Sequence, residues 1–205
     1  MTVRALASSN GLWCVVLAAG GSRRLGYPKQ LIRYRVRPMI LRTIDAAESV
    51  IPERVLIVLG AHSLRLRALL ARNYGNLPVI NNTSWQDGIA SSLIAGLDAI
   101  PPAARGVLVL LTDQPDVGSN SLQRLVEAWQ RQPNRAVAAG YGGGPGVPAI
   151  LPRRVWRQLR ELKGDVGAKA VLRNAGSNTM VLNMPEADFD VDTIEDRRRL
   201  EHTRC

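Results

Sequence analysis

Cysteine and histidine are scarce in this chain of 205 residues, which has two of each. Cys14 lies inside an apolar run and Cys205 is the last residue, so the sequence has no disulfide framework and no metal-type cysteine spacing. His62 and His202 stand far apart, which leaves a zinc or di-iron site almost no candidate ligands. Any bound metal must therefore be held by oxygen.

Long hydrophobic runs are also missing. The longest apolar run near the start, Leu12–Ala19, is far too short to span a membrane. Glycine-rich, basic sequence follows it, rather than the small residues of a signal-peptide cleavage site. With 46% hydrophobic residues, the composition predicts one domain over residues 1–205, in a reducing, cytoplasmic setting and without a membrane partner.

Aromatic residues make up only 4% of the chain, with a single Phe, although the net charge is +10. Such a charge raises nucleic acid as a partner, because clustered Lys and Arg bind phosphates. Here the basic residues are dispersed, and few aromatic rings could stack on bases. The sequence therefore argues against a nucleic-acid partner. Only three basic residues are lysines, and Lys29, Lys163 and Lys169 all lie in or beside glycine-marked segments.

Short apolar runs alternate with segments of helical spacing along the first 130 residues. The apolar runs are Leu12–Ala18, Arg54–Gly60, Leu77–Ile80 and Gly106–Thr112, and the helical segments are Met39–Val50, Leu64–Ala71, Ser91–Ile100 and Ser121–Gln130. Runs of this length indicate buried strands, and their alternation with helices indicates βαβ units. The pattern predicts an α/β fold with three layers, α/β/α, around a Rossmann-like, mainly parallel twisted sheet.

After Gln132 the pattern changes, but no second core is visible. We predict a surface or substrate-facing loop in the Gly/Pro-rich stretch Gly140–Pro148, because it is dense in turn formers. An apolar segment Ala149–Leu151, a helix Arg153–Leu162 and a late strand Thr179–Asn183 follow. The chain is thus expected to continue the same domain.

The first predicted strand runs into a glycine-rich, basic loop with the sequence LAAGGSRRLGYPK over residues 17–29. Glycines let a backbone approach a ligand closely, and exposed N–H groups suit phosphate oxygens. Arg24 and Lys29 can neutralise charge on a triphosphate. The spacing is neither a Walker A loop nor a dinucleotide fingerprint. An ordinary strand-to-loop turn with exposed basic residues is the alternative.

Two carboxylates stand out further along the chain. Asp113 follows an apolar strand, at the end of the strand where open α/β sheets bind ligands, although a lone Asp there is more often a turn former or helix cap. Asp192 lies in the segment DVDTIED over residues 190–196, where Thr193 and Asp196 also resemble a loose capping box at a helix entry. Two such carboxylates from separate segments suit Mg²⁺ bound to substrate phosphates.

These segments resemble the molybdenum cofactor cytidylyltransferase family, of the nucleotide-diphospho-sugar transferase type. Its loop signature, L-A-[AG]-G-x-S-x-R-x-G-x-x-K, is matched at every fixed position. The resemblance implies catalysis by Arg24, Lys29 and Asp113, and Mg²⁺ or its substitute Mn²⁺ on Asp113 and Asp192. It implies nucleotide contacts by Leu17, Ala18, Ala19, Gly20, Gly21, Ser22, Arg24, Gly26, Lys29, Gly88, Ser92 and Asp113.

Two further segments extend the resemblance towards the acceptor. Residues 82–92 match N-x-x-W-x-x-G-[MI]-x-x-S, where Ser91 could instead be a helix N-cap. Residues 164–169 match G-D-x-G-A-[RK], whose helix N-terminus could face a phosphate, and Asp165 could equally be only the cap of that helix. The implied acceptor-binding residues are Gly146, Pro148, Asp165 and Gly167. The resemblance divides the domain into a nucleotide-binding half, about 12–130, and an acceptor-binding half, about 131–200.

The implied reaction transfers CMP from CTP, or a nucleotide from another NTP, to molybdopterin and releases pyrophosphate. A molybdoenzyme or its chaperone would receive the product. Relatives often carry His where Val147 stands and Gly where Val36 stands, which leaves the substrate open. The alternatives are GMP transfer, weakly disfavoured by Ala19, transfer to another phosphorylated acceptor, and a non-catalytic module that binds the pterin or serves redox chemistry.

Overall fold

The computed structural model describes residues 11–174 and 176–202, so Cys205 lies outside the described residues. The strands are β1 (Leu12–Ala18), β2 (Arg33–Tyr34), β3 (Arg37–Pro38), β4 (Val55–Leu59), β5 (Val79–Asn81), β6 (Gly106–Leu111), β7 (Ala136–Tyr141), β8 (Gly144–Pro152) and β9 (Thr179–Asn183). The helices are α1 (Met39–Val50), α2 (Ser63–Asn73), α3 (Ile89–Ala99), α4 (Ser119–Arg131), α5 (Trp156–Arg160), α6 (Ala168–Asn174) and α7 (Ile194–His202).

Seven strands form one sheet in the order β5-β4-β1-β6-β8-β7-β9. The pairs β5–β4, β4–β1, β1–β6 and β7–β9 are parallel, whereas β8 runs antiparallel to both β6 and β7. Strands β2 and β3 form a separate small hairpin. The predicted mainly parallel sheet is therefore confirmed.

Strand β1 shows why the sheet has helices on both faces. Leu12, Cys14 and Val16 point into a core with α1, α2 and α4, while Val15 and Leu17 point into a second core with α3, α5 and α6. A strand buried on both faces is apolar at nearly every position, as the sequence predicted. Burial, helped by the charge of Glu48, raises the pKa of the Cys14 thiol, so this cysteine is an unreactive core residue.

The prediction of a surface loop over Gly140–Pro148 is wrong for most of that stretch. Strand β8 begins at Gly144, and only Gly142 and Gly143, both with positive φ, form the turn from β7. Pairing with β7 shifts between Ala138 and Ala139, so that Val147 and Pro148 lie at an irregularity of the ladder. Such a bulge is where a sheet tolerates proline, which conceals the strand in the sequence.

A third, smaller core brings the C-terminal segment back to the end of β1. It is formed by Leu25, Ile32, Tyr34, Met39, Val191 and Leu200. These residues come from the loop after β1, from the small hairpin, from the start of α1 and from the segment around α7. Their burial holds residues 190–193 beside the glycine-rich loop.

Within residues 11–174 and 176–202, no helix has the length and apolar character needed to cross a membrane.

Helix α2 offers a matched test of how the helices pack against the sheet. Leu66 is fully buried, whereas Leu64 on the same helix is 86% exposed. We expect Leu66→Ala to lower the free energy of unfolding by about 2–5 kcal/mol, because the lost contacts leave a cavity. Leu64→Ala should change it by no more than about 0.5 kcal/mol. Urea unfolding followed by circular dichroism checks both values, and equal effects of the two variants would contradict the packing described.

Candidate active site

A cavity of about 340 Å³ opens at the carboxyl ends of β1 and β6. From β1 the sheet extends through β4 and β5 on one side and through β6 on the other, and ligands bind open α/β sheets at such a switch point. Leu17, Ala19, Gly20, Gly21, Lys29, Gly88, Ser92, Asp113 and Asp165 are the predicted site residues that line it. Nine predicted residues from four separate segments of the chain therefore share one cavity.

The glycine-rich loop after β1 is held in shape by its own hydrogen bonds. The N–H groups of Leu25 and Gly26 both donate to the carbonyl of Ser22, at 3.1 Å each. Ser22 and Gly26 have positive φ. Ser22 Oγ accepts from the backbone N–H of Lys29 at 3.0 Å, which closes the loop. The residues predicted to surround the phosphates thus form a compact turn, and Gly20, just before it, lines the cavity.

Lys29 joins the two predicted metal-binding carboxylates. Its Nζ donates to Asp113 Oδ2 at 2.6 Å and to Asp192 Oδ1 at 2.8 Å. Only 17% of the Lys29 side chain is exposed. Burial alone would lower the pKa of the ammonium, but the two carboxylates outweigh it and raise that pKa above its ordinary value. Lys29 therefore carries a full positive charge at the centre of the site.

Backbone contacts explain how residues so distant in sequence meet. The N–H of Val191 donates to the carbonyl of Asp113 at 2.9 Å, and the Val191 side chain is fully buried. The Asp196 carboxylate accepts from the backbone N–H groups of Asp192 and Thr193, and Thr193 Oγ accepts from the N–H of Asp196. The expected capping box is therefore present, and it fixes the turn from which Asp192 projects.

Arg24 extends the site towards solvent. Its guanidinium, with the side chain 71% exposed, donates to Asp192 Oδ2 at 2.8 Å. Partial burial would raise the pKa of Asp192, yet the charges of Lys29 and Arg24 hold it below its usual value. Asp192 is consequently an anion between two cations, and Arg24 stands where it could turn to an incoming phosphate.

The carboxylate pair fits a divalent cation. Asp113 is 8% exposed, and within the described chain its Oδ1 is buried without a hydrogen-bond partner. A buried, unpaired carboxylate oxygen is costly unless something binds it. Among residues 11–174 and 176–202, no group of three or more His, Cys, Asp or Glu side chains is placed to hold a metal. A cation here would share Asp113 and Asp192 with phosphate oxygens and water, as Mg²⁺ commonly does.

The far wall of the cavity is built from the segment before α3. Asn82 Nδ2 donates to Ser91 Oγ at 2.8 Å and to Ser92 Oγ at 3.0 Å. Helix α3 begins at Ile89 with Gly88 as its N-cap, so the alternative of an N-cap at Ser91 is wrong. Ser91 instead donates to the carbonyls of Ser84 and Gly88, which ties the turn to the helix.

The predicted acceptor residues do not lie together. Asp165 lines the cavity at the ends of β1 and β6. It stands three residues before α6 begins, which is too early for the N-cap of that helix. Gly167 packs near Ile89. Gly146 lies against Tyr141, and Pro148 borders a separate small cavity beside Gln114. Five other predicted residues belong to the glycine-rich loop or to the carboxylate pair but do not line the cavity at the ends of β1 and β6: Ala18, Ser22, Arg24, Gly26 and Asp192.

Three polar residues at the site escaped the sequence-based prediction. Gln30 is buried and donates to the carbonyls of Ala18 and Gly20, which braces the loop. Gln114 donates to Tyr141 Oη and to the carbonyls of Val147 and Ala187, which connects the carboxylate segment to β8. Neither glutamine carries a sequence signal beyond standing next to a predicted residue.

The third missed residue is Asp190. Desolvation, followed by the negative charges of Asp113 and Asp192, raises its pKa to about 7. A signal for it was present, because residues two apart in extended chain point to the same side, and Asp190 is two residues before Asp192. The site thus contains a third carboxyl group, which binds a proton near neutral pH because it is partly buried beside two carboxylates.

The aromatic wall of the cavity is Trp85, which the sequence motif contains but which was not predicted to be a site residue. The guanidinium of Arg23 lies 6.0 Å from the centre of its ring. A Cβ at Gly21 would come within 3.1 Å of that ring, and a Cβ at Gly60 would lie 2.7 Å from Trp85 Cβ. Glycines at both positions therefore leave room for the indole beside the loop.

A partly buried lysine lies between two carboxylates, next to a loop suited to phosphates. These features indicate the class of the nucleotidyltransferases, and comparison with known proteins agrees. The chain belongs to the family of the MobA-like NTP transferase domain, whose sequence model matches residues 14–179. It is 31% identical to Rv0371c from Mycobacterium tuberculosis H37Rv, with a TM-score of 0.78 over 93% of this chain and 98% of that one.

Two other similar proteins add detail. The structure of Rv0371c in complex with manganese, from the same organism, is 28% identical, with a TM-score of 0.75 over 93% of this chain and 97% of that chain. The bifunctional protein GlmU of Cutibacterium acnes is 27% identical over 74% of this chain. That alignment covers 40% of GlmU, so the present chain corresponds to less than half of this relative.

Proposed function

We propose that this nucleotidyltransferase transfers CMP from CTP to the terminal phosphate of molybdopterin and releases pyrophosphate. The observation that supports it most is the meeting of Lys29, Asp113 and Asp192 beside a loop that matches the cytidylyltransferase signature. Ala19, as in the cytidylyltransferase branch, favours CTP over GTP. The division into nucleotide-binding and acceptor-binding halves, the cytoplasmic location and a receiving molybdoenzyme or chaperone stay predictions.

In the proposed reaction, a phosphate oxygen of the acceptor attacks the α-phosphorus of the nucleotide. The new P–O bond forms as the bond from the α-phosphorus to the bridging oxygen breaks, and the electron pair leaves on pyrophosphate. The backbone of the glycine-rich loop binds the phosphates, and Lys29 and Arg24 offset the charge on the reacting and departing oxygens. No protein nucleophile is needed.

Asp113 and Asp192 would hold Mg²⁺, which polarises the phosphates when bound. The fit of the carboxylate pair supports this assignment, as does the manganese complex of Rv0371c. The divalent cation is a proposal for this chain, with Mn²⁺ as the substitute that experiments can follow most easily.

A second candidate is nucleotide transfer to a different phosphorylated acceptor. Several similar curated proteins carry the name bifunctional protein GlmU, and this name does not refer to the molybdenum cofactor. Val147 and Val36, where relatives of the cytidylyltransferase type often carry His and Gly, also leave room for another acceptor. A non-catalytic pterin-binding or redox role is less favoured, because a binder has no need of the ion cluster around Lys29.

Pyrophosphate release distinguishes these candidates. We expect release with CTP and Mg²⁺ that depends on molybdopterin freshly freed from a molybdoenzyme, and much slower release with GTP, ATP or UTP. Preference for GTP would support GMP transfer to the same pterin. Pyrophosphate release that does not depend on molybdopterin but increases with another phosphorylated acceptor would support the second candidate. No turnover with any of the four nucleotides would contradict the proposed function.

A further inference from the structure

The ammonium of Lys29 occupies the place between the two carboxylates that a divalent cation would need. Nζ lies 2.6 Å from Asp113 Oδ2 and 2.8 Å from Asp192 Oδ1, so that one positive charge satisfies one oxygen of each carboxylate. Arg24 adds a second positive charge on Asp192 Oδ2 at 2.8 Å. Three of the four carboxylate oxygens thus already contact a cationic side chain.

A divalent cation cannot share these oxygens with the ammonium in this position. Like charges at such a separation repel strongly, above all where the surroundings are buried and poorly screened. A metal ion arriving alone would have to displace Lys29 from Asp113 and Asp192, and it would bring no anion to take the place of the two carboxylates. An arriving nucleoside triphosphate, in contrast, brings several phosphate oxygens that can take over both Lys29 and Arg24.

The anchoring of Lys29 suits a movement confined to its side chain. Its backbone N–H is held by Ser22 Oγ at 3.0 Å, and the next residue, Gln30, is buried and bound to two carbonyls of the loop. The flexible four-carbon stem can therefore swing while the loop keeps its shape. Asp113 Oδ1, buried and without a partner in the described chain, is meanwhile ready to receive a cation.

We infer that Lys29 closes the carboxylate pair to free divalent cations, and that the pair opens when a nucleoside triphosphate draws the ammonium onto its phosphates. Metal then enters together with the nucleotide rather than before it. This inference rests on the proposed function, since it requires a triphosphate to bind beside Lys29. It gives Lys29 a second role, as the control of metal entry, besides stabilising charge during transfer.

The test is Mn²⁺ binding, measured by electron paramagnetic resonance on the intact protein, without nucleotide and with α,β-methylene-CTP, which cannot be cleaved. Without nucleotide, Lys29→Met should bind Mn²⁺ tighter than the wild type by about tenfold or more, because the competing charge is gone. Lys29→Arg, which keeps the charge, should bind as weakly as the wild type. The analogue should tighten Mn²⁺ binding far more in the wild type than in Lys29→Met.

Lys163→Met is the matched control, since it removes the same charge from an exposed position in the loop after α5. It should leave Mn²⁺ binding unchanged, and thermal unfolding should show that every variant is folded. Equal Mn²⁺ affinities of the wild type and Lys29→Met without nucleotide would overturn the inference that Lys29 keeps free divalent cations from the carboxylate pair. If the wild type still gained Mn²⁺ affinity from the analogue, the proposed metal site would stand. Absence of Mn²⁺ binding in all proteins, with the analogue present, would overturn the site itself.

Discussion

The Asp113→Asn variant should release pyrophosphate more slowly than the wild type by about 10³-fold or more, while keeping its fold. Asp113 is buried, and an Asn side chain has nearly the same size and shape, so the packing around it is kept. One oxygen of the Asp113 carboxylate is paired with Lys29, and the other has no hydrogen-bond partner in the described chain. Asn removes the negative charge that Lys29 and the proposed Mg²⁺ both require. The loss should therefore appear in the rate of transfer rather than in the stability of the protein.

Asp116→Asn is the control, because the same chemical change occurs three residues later and outside the cavity. Asp116 is exposed and accepts from Tyr34 Oη at 2.7 Å, a contact that the Asn carbonyl can keep. Its activity should stay within about twofold of the wild type. Circular dichroism and urea unfolding of both variants separate a lost charge from a lost fold. Full activity of Asp113→Asn would mean that the chemistry takes place without this carboxylate.

Much of the sheet could be predicted because its central strands are buried on both faces. Strand β1 and helix α1 have the bounds that their apolar patterns indicate. Strand β7 was missed, and the first part of β8, Gly144–Pro148, was taken for a loop, since a run of small residues and a bulge with glycines and prolines give no apolar periodicity. The helix predicted over Arg153–Leu162 is shorter, with a 3-10 turn over Arg153–Val155 followed by α5.

The carboxylate site depends on contacts that no local pattern contains. Lys29 is 84 residues from Asp113 and 163 residues from Asp192. The order of the strands, the burial of Val191 and its backbone bond to Asp113 bring them together. The family resemblance named the three residues but gave no reason for their meeting. The hydrogen bonds of Gln30 and Gln114 could not be predicted for the same reason. Their partners are carbonyl groups and a tyrosine hydroxyl that come close only in the folded chain.

The Gly88→Ala variant should lose both stability and nucleotide binding. Gly88 has φ +98° and ψ 177°, a conformation that is almost exclusive to glycine. A Cβ there would lie 2.2 Å from both the carbonyl carbon and the oxygen of Gly164, which are backbone atoms that cannot rotate away. Strain and forced separation together should lower the free energy of unfolding by about 2–5 kcal/mol.

The clash at Gly88 links this loss of stability to the proposed site. The Gly164 carbonyl accepts from the N–H of Ala90 at 3.1 Å, and both Gly88 and Asp165 line the cavity. Pushing Gly164 away breaks that bond and parts two walls of the cavity, so affinity for α,β-methylene-CTP should fall with stability. Gly75→Ala, at an exposed position with nothing within 4 Å, should change neither quantity. A folded Gly88→Ala that binds the analogue as the wild type does would place the nucleotide away from this wall, and with it the proposed contacts of Gly88 and Ser92 would fall.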